Sequence, residues 1–412
     1  MSRVYSEHER QQISEREYTT YKSNQKVTVQ SDAGKEIVVG TVRQVVTDKT
    51  GLKAYIVESP DKKAVSVLYR GSEGPGKKGS KADWLDNDLP MAKNIVTGRK
   101  EATPQLKSAA KTLNQVLKDY PNAKVNVYGH SLGSMNAQYA LANVSDVNRI
   151  AGAYAYEGPN VYPILTDKQR AKVNALKYRI HNYIDQRDLV PLGYVAETPN
   201  HKSELNSKNA IGIVYHVDSK MVLNPVDQHM WGGYQWQSDG SLKIKQDTSA
   251  KEMKYSTALD TVAIGMYHFS TFKTEREQHG LTSNEEFFLD STQASVVATG
   301  LVKASETVKD EVEAAKKRAV EEAEELYQST KTAPFGITEL SPEEIQEAYA
   351  AAGVTYDSIV GKTERHFDKK VSKAEKIVTA YSELQGKIQA GVNDAFAKDA
   401  SLAGKFQQWS VN

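Results

Sequence analysis

The chain has 412 residues, no cysteine and a formal net charge of +1. Disulfide frameworks, thiol nucleophiles and cysteine-bound metals are therefore excluded, and no global charge draws the protein to nucleic acid or membrane. The length suits two or three domains, and the mean hydropathy of −0.58 leans polar for a globular protein.

The N-terminal stretch Met1-Ser2-Arg3-Val4-Tyr5-Ser6-Glu7-His8-Glu9-Arg10 lacks the apolar run of a cleavable signal peptide. Nowhere do roughly 18 apolar residues follow one another, so no transmembrane helix is expected. The expectation is a protein that stays in the cytoplasm or leaves by a route needing no cleavable signal.

Val65-Ser66-Val67-Leu68-Tyr69 alternates as a strand and runs into Arg70-Gly71-Ser72-Glu73-Gly74. A glycine followed by a small hydroxyl residue after an early strand suits an oxyanion donor, so Ser72 is a candidate, with an ordinary turn as the alternative. Gly71 to Gly76 and Lys77 nearly spell a phosphate loop, but Lys78 stands where Ser or Thr is required. Lys77, Lys78 and Lys81 read instead as a solvated surface loop, or as an electrostatic contact to anionic headgroups. Asp83-Trp84-Leu85-Asp86-Asn87-Asp88-Leu89, with Met91 and Ile95, suits a lid or acyl-binding wall, or else a plain surface helix.

A helix is predicted over Leu106 to Leu117 and a strand over Val125 to Tyr128. Gly129-His130-Ser131-Leu132-Gly133 follows that strand and precedes the helix-forming run from Ser134 to Ala142. The pattern is a nucleophile elbow, with Ser131 as nucleophile and the Leu132 N–H as second oxyanion donor. The helix N-terminus behind the serine favours negative charge. His130 reads as a packing residue.

Further strands are predicted at Ala153 to Tyr156, Tyr178 to Tyr183 and Ile211 to Tyr215. Strands separated by helices imply βαβ units and a mainly parallel sheet. After the strand ending at Tyr183, Ile184-Asp185-Gln186-Arg187-Asp188-Leu189-Val190-Pro191 offers two acids. Asp188 is favoured because Leu189-Val190-Pro191 anchors it; Asp185 is the alternative, or a turn residue. Among nine histidines, His229 lies on a loop after a late strand, in the chain order Ser, Asp, His. His268, in an apolar stretch, is the rival base. His181 and His216 fall in strand patterns.

Composition shifts at about residue 285. Downstream, Leu301, Ala304, Val308, Val312, Ala315, Ala319, Ala323 and Leu326 recur at helical spacing, as do Phe367, Val371, Ala374, Val378, Tyr381, Ile388, Val392 and Phe396. A break is expected near Ala333-Pro334-Phe335-Gly336 and a helix start at Ser341-Pro342-Glu343-Glu344. The stripes suit a hairpin that buries its own apolar face, or in part a docking face for partner helices.

Tyr69-Arg70-Gly71-Ser72, Gly129-His130-Ser131-Leu132-Gly133 and Asp188-Leu189-Val190-Pro191 together resemble the class 3 lipases of the α/β-hydrolase fold, over roughly residues 40–250. The resemblance implies Ser131 as nucleophile, Asp188 as acid and Ser72 as oxyanion residue, with His229 in a looser match. It implies hydrolysis of lipid carboxylic esters, with a phospholipid among the candidates, and no metal or organic cofactor. The expected architecture is an α/β-hydrolase domain over 1–285 and an all-α domain over 286–412. That layout resembles lipase-type effectors of Gram-positive bacteria exported by type VII secretion, with the lipase first and an LXG-like helical targeting domain last. In such systems the helical domain binds small helical partner proteins.

Overall fold

The computed structural model describes residues 3–72, 102–194, 209–245, 255–278, 280, 283–332 and 340–409. The chain forms two compact units, Met1–Ser256 with Met266–His268, and Thr257–Gly265 with Phe269–Asn412.

The first unit is built on an eight-stranded sheet whose spatial order follows the chain. Strands β1 (Lys26–Gln30), β2 (Glu36–Thr47), β3 (Lys53–Glu58) and β4 (Ala64–Tyr69) pair antiparallel. From β4 onward the pairing is parallel, through β5 (Lys124–His130), β6 (Ile150–Tyr156), β7 (Ile180–Ile184) and β8 (Ile213–His216). The mainly parallel sheet expected from the sequence is present. The antiparallel β1–β3 ribbon extends it on the β4 side.

Helix α1 (Glu7–Glu15) precedes the sheet and starts at a capping box formed by Ser6 and Glu9. Helices α2 (Pro104–Asp119), α3 (Leu132–Ala142) and α4 (Asp167–Ala175) make the crossovers between the parallel strands. Right-handed crossovers in sequential strand order put successive helices on one face. In α2, Leu106, Ala109, Leu113, Val116 and Leu117 recur at helical spacing and are buried. Thr103 caps this helix by accepting from the Leu106 N–H, and Pro104 fits its first turn. These side chains join Val65, Val67, Val125 and Val127 in one core layer. Each fully buried aliphatic side chain stabilises the layer by roughly 1.5–3 kcal/mol.

The alternate strand residues face the other side, where α1 contributes Ile13. There the rings of Tyr156, Tyr183 and Tyr215 stack across three strands at centroid distances of 4.9 and 5.0 Å. Tyr183 Oη donates to Glu7 Oε1 at 2.8 Å, which ties α1 to this aromatic row.

The second unit is helical. It contains most of α5 (Ser256–Glu277), then α6 (Ser283–Ser329), α7 (Pro342–Ala351) and α8 (Lys362–Trp409). The start expected at Ser341 is a capping box between Ser341 and Glu344; the break at Ala333 to Gly336 lies outside the described residues. Helices α6 and α8 run antiparallel. The pairs Phe288–Phe396, Thr299–Gln385 and Lys316–Asp368 climb one helix while descending the other. Ala323 and Ala374 are buried, whereas Val297, Leu301, Ile377 and Leu384 stay 36% to 49% exposed. Among the described residues no helix is long and apolar enough to cross a membrane.

Candidate active site

The parallel register pairs Tyr69 with Gly129, so the chain leaves β4 and β5 side by side at one edge of the sheet. Ser131 follows β5 with φ 57° and ψ −125°, and α3 begins at the next residue. A non-glycine residue in such a conformation stores on the order of 1–3 kcal/mol of strain. Main-chain bonds hold it there: its N–H donates to Tyr156 O at 2.9 Å, and its carbonyl accepts from Ser134 N–H at 3.0 Å. Its side chain does not cap α3, so the hydroxyl is not spent on the helix it precedes.

Both glycines of the elbow are required sterically. A Cβ on Gly129 would lie 2.3 Å from Gly133 O, and one on Gly133 would lie 2.1 Å from Tyr69 O. The close approach of strand, turn and helix excludes any side chain at either position.

Gly71 and Ser72 lie beside the elbow. A Cβ on Gly71 would come within 2.8 Å of His130 O. Ser72 Oγ is buried and makes no hydrogen bond among the described residues. Leu132 is the first residue of α3, where a helix leaves its N–H without an intrahelical acceptor. Lys77, Lys78, Lys81 and the segment from Asp83 to Ile95 lie outside the described residues.

One buried carboxylate joins the two turns. Glu17 Oε1 accepts from Gly71 N–H and from His130 N–H, both at 3.1 Å, and Oε2 accepts from Ser14 Oγ at 3.3 Å. Burial pushes the Glu17 carboxyl well above the usual range, against the pull of these bonds. No local pattern marks Glu17, because its partners lie 54 and 113 residues away.

Asp185 and Asp188 have different partners. Asp188 Oδ2 accepts from His229 Nδ1 at 2.6 Å, with both side chains almost wholly buried. Asp188 Oδ1 accepts from Val190 N–H at 3.0 Å, so the run after the acid does anchor it. Asp185 instead accepts from Ser219 Oγ and from Gln228 Nε2, each at 2.6 Å. Gln228 also accepts from Val222 N–H at 2.6 Å. Asp185 thereby fixes the backbone next to His229 while Asp188 meets the imidazole. His268 lies within α5, and the imidazole bonded to Asp188 is that of His229.

His229 sits in the wide turn Gln228–Gly232. With Nδ1–H donated to Asp188, Nε2 carries the lone pair of the neutral ring. His130 lies against it, with ring centroids 4.5 Å apart. His130 Nε2 is 2.9 Å from His229 O, and its Nδ1 is 2.7 Å from Tyr18 Oη. A carbonyl only accepts, so Nε2 carries the proton and Nδ1 accepts from Tyr18. Burial, then the neighbouring His229, pushes the His130 pKa well below 6.5, which keeps this ring neutral.

Glu157 ends this cluster at the close of β6. It is wholly buried, with φ +48°. Its Oε2 accepts from Asp185 N–H at 2.9 Å, and its Oε1 accepts from Tyr234 Oη. Burial first, then the charges of Asp188 and Asp185, raise its carboxyl well above the usual range, favouring the protonated acid. An acid at the carboxyl end of a parallel strand, before Gly158-Pro159, is a signal by which sequence reading could have found it. Among the described residues no cluster of three or more His, Asp or Glu side chains is arranged to hold a metal ion.

A family model described as Mbeg1-like matches residues 53–250, a span that contains the elbow, the acid loop and His229. The sequence has no match among curated proteins. Among solved structures, a triacylglycerol lipase from Penicillium expansum is 16% identical over 52% of this chain and 79% of that one, with a TM-score of 0.33. The Rhizomucor miehei lipase in its propeptide complex is 17% identical over 50% and 66%, with a TM-score of 0.30. For the Lip2 lipase of Yarrowia lipolytica the values are 14%, 46% and 69%, with a TM-score of 0.28.

Proposed function

We propose that the first unit is a serine hydrolase acting on carboxylic esters of lipids. The observation that carries this reading is the 2.6 Å bond from His229 to Asp188, set against the elbow that holds Ser131 at φ 57°. His229 Nε2 takes the Ser131 proton as Oγ adds to the ester carbonyl. Ser72 and the Leu132 N–H receive the oxyanion. Collapse of the tetrahedral adduct breaks the ester C–O bond, and His229 returns the proton to the departing alcohol. Water, activated by His229, then releases the acid and restores Ser131. Asp188 holds the ring in the tautomer this sequence needs.

The test is lipid-product analysis of the protein beside Ser131→Ala, with p-nitrophenyl esters and phospholipid vesicles as substrates. Loss of fatty-acid release in the variant supports the reading. Equal release by both proteins means that hydrolysis does not use Ser131, and release by neither makes the scaffold a binding module. A phospholipid is the substrate we propose, and vesicles compared with triacylglycerol emulsions separate the two lipid classes.

The layout of a lipase-like unit followed by a helical one supports a second part of the proposal. The helical unit directs export by a type VII route and binds small helical partner proteins. Fractionation of producing cells tests it. Exclusive retention in the cytoplasm favours a cytoplasmic carboxylesterase or thioesterase with a helical oligomerisation domain.

A further inference from the structure

A crevice of about 520 Å³ opens on the α1 side of the sheet, where β4, β5 and β6 begin. Ser66 and Asn126, register partners on β4 and β5, line it together with Tyr128 and Tyr154. Arg10 of α1 lays its guanidinium over the Tyr154 ring, 4.5 Å from the centroid. Arg3 and Lys124 also border the space.

These cations differ in what already occupies them. Arg3 pairs with Glu9 at 2.8 Å, and Lys124 Nζ donates to Asn148 O at 2.9 Å. Asp61, an acid at the rim, is engaged by Ser59 Oγ at 2.7 Å and Lys63 N–H at 3.1 Å. Among the described residues no carboxylate pairs with the Arg10 guanidinium, which lies over the face of Tyr154 instead. Arg10 lines the open crevice and no hydrogen bond holds its guanidinium among the described residues, so its donors remain available to an anion. Its planar fork matches the oxygens of a phosphate.

We infer that this crevice binds a small hydroxylated phosphate ester, such as a sugar phosphate or a nucleoside monophosphate. Arg10 takes the phosphate, and Ser66, Asn126 and the two phenols take the hydroxyls. The volume lies in the range of sites for small organic molecules and exceeds what one inorganic ion fills. Asn126 precedes Ser131 by five positions on and just beyond β5, roughly 17 Å at about 3.3 Å per residue. The ligand therefore occupies a site separate from the elbow, and its binding does not depend on the hydrolase reading.

Calorimetric titration of the full chain with inorganic phosphate, glucose 6-phosphate and AMP tests this. At least one organic phosphate should bind roughly tenfold or more tighter than inorganic phosphate. Arg10→Gln and Asn126→Leu should each weaken that binding by about tenfold or more, while Ser131→Ala leaves it unchanged. If Arg10→Gln folds poorly, Asn126→Leu, on β5 and not on α1, decides the matter. No saturable binding, equal affinity for inorganic and organic phosphate, or binding indifferent to the folded variants overturns the inference.

Discussion

His130 donates its Nε2–H to the main-chain carbonyl of His229 at 2.9 Å. This bond ties the elbow to the turn that carries the imidazole, so the serine and histidine segments are held by each other as well as by the sheet. Tyr18 holds the far nitrogen of the same ring, extending the connection to the segment just after α1.

Asp188 and Asp185 should separate in kinetics. Asp188→Asn sets an amide N–H against His229 Nδ1 and so favours the tautomer that leaves Nε2 unable to act as base, and kcat on a soluble ester should fall by about 10³–10⁴ with the fold intact. Asp185→Asn disturbs Ser219 and Gln228 and should chiefly cost stability, about 1–3 kcal/mol. Steady-state kinetics with urea unfolding of both variants reads this; the opposite pattern would refute the assignment.

Glu17 is expected to act as a positioning residue. Glu17→Ala leaves the buried Gly71 and His130 N–H groups without their acceptor, at about 1–3 kcal/mol each. Glu17→Gln keeps an acceptor oxygen. In the folded protein kcat should drop with Ala, recover with Gln, and KM should change little. A KM effect alone would mean that Glu17 shapes the substrate pocket instead.

Gly133→Ala should destabilise by about 1–3 kcal/mol or more, because the new Cβ meets the Tyr69 carbonyl at 2.1 Å. Thermal unfolding measures it, and a variant as stable as the parent would contradict the close approach of α3 and β4.

The neutral His130 ring gives a pH dependence of known sign. Its folded-state pKa is depressed well below 6.5, whereas in the unfolded chain it titrates normally. As pH falls below about 6.5 the unfolded chain takes up a proton that the folded one refuses, so stability declines. The slope for one such histidine is about 1.4 kcal/mol per pH unit. His130→Gln should flatten the stability curve below pH 6.5 by about that amount. Urea unfolding across pH 7 to 5 decides; parallel curves would show that the ring accepts a proton in place.

The parallel strands, helices α2 and α3 and the elbow were legible because each is a local pattern. Alternation marks β4 and β5, helical spacing marks α2 and α6, and two glycines around a serine mark a turn that admits no other residue. Residues 26–58 carry no comparably clear signal of strand direction, since antiparallel pairing is set by partners and not by the strand's own residues. The sequence by itself determined the types and the order of the candidate groups, Ser131, then two acids, then two histidines, His229 and His268. Only the tertiary structure decided that Asp188 meets His229 while Asp185 holds Gln228, and that Glu17 joins two distant turns. Those outcomes depend on where separate strands end in space, and a buried hydrogen bond between residues far apart in the chain leaves no periodicity to read.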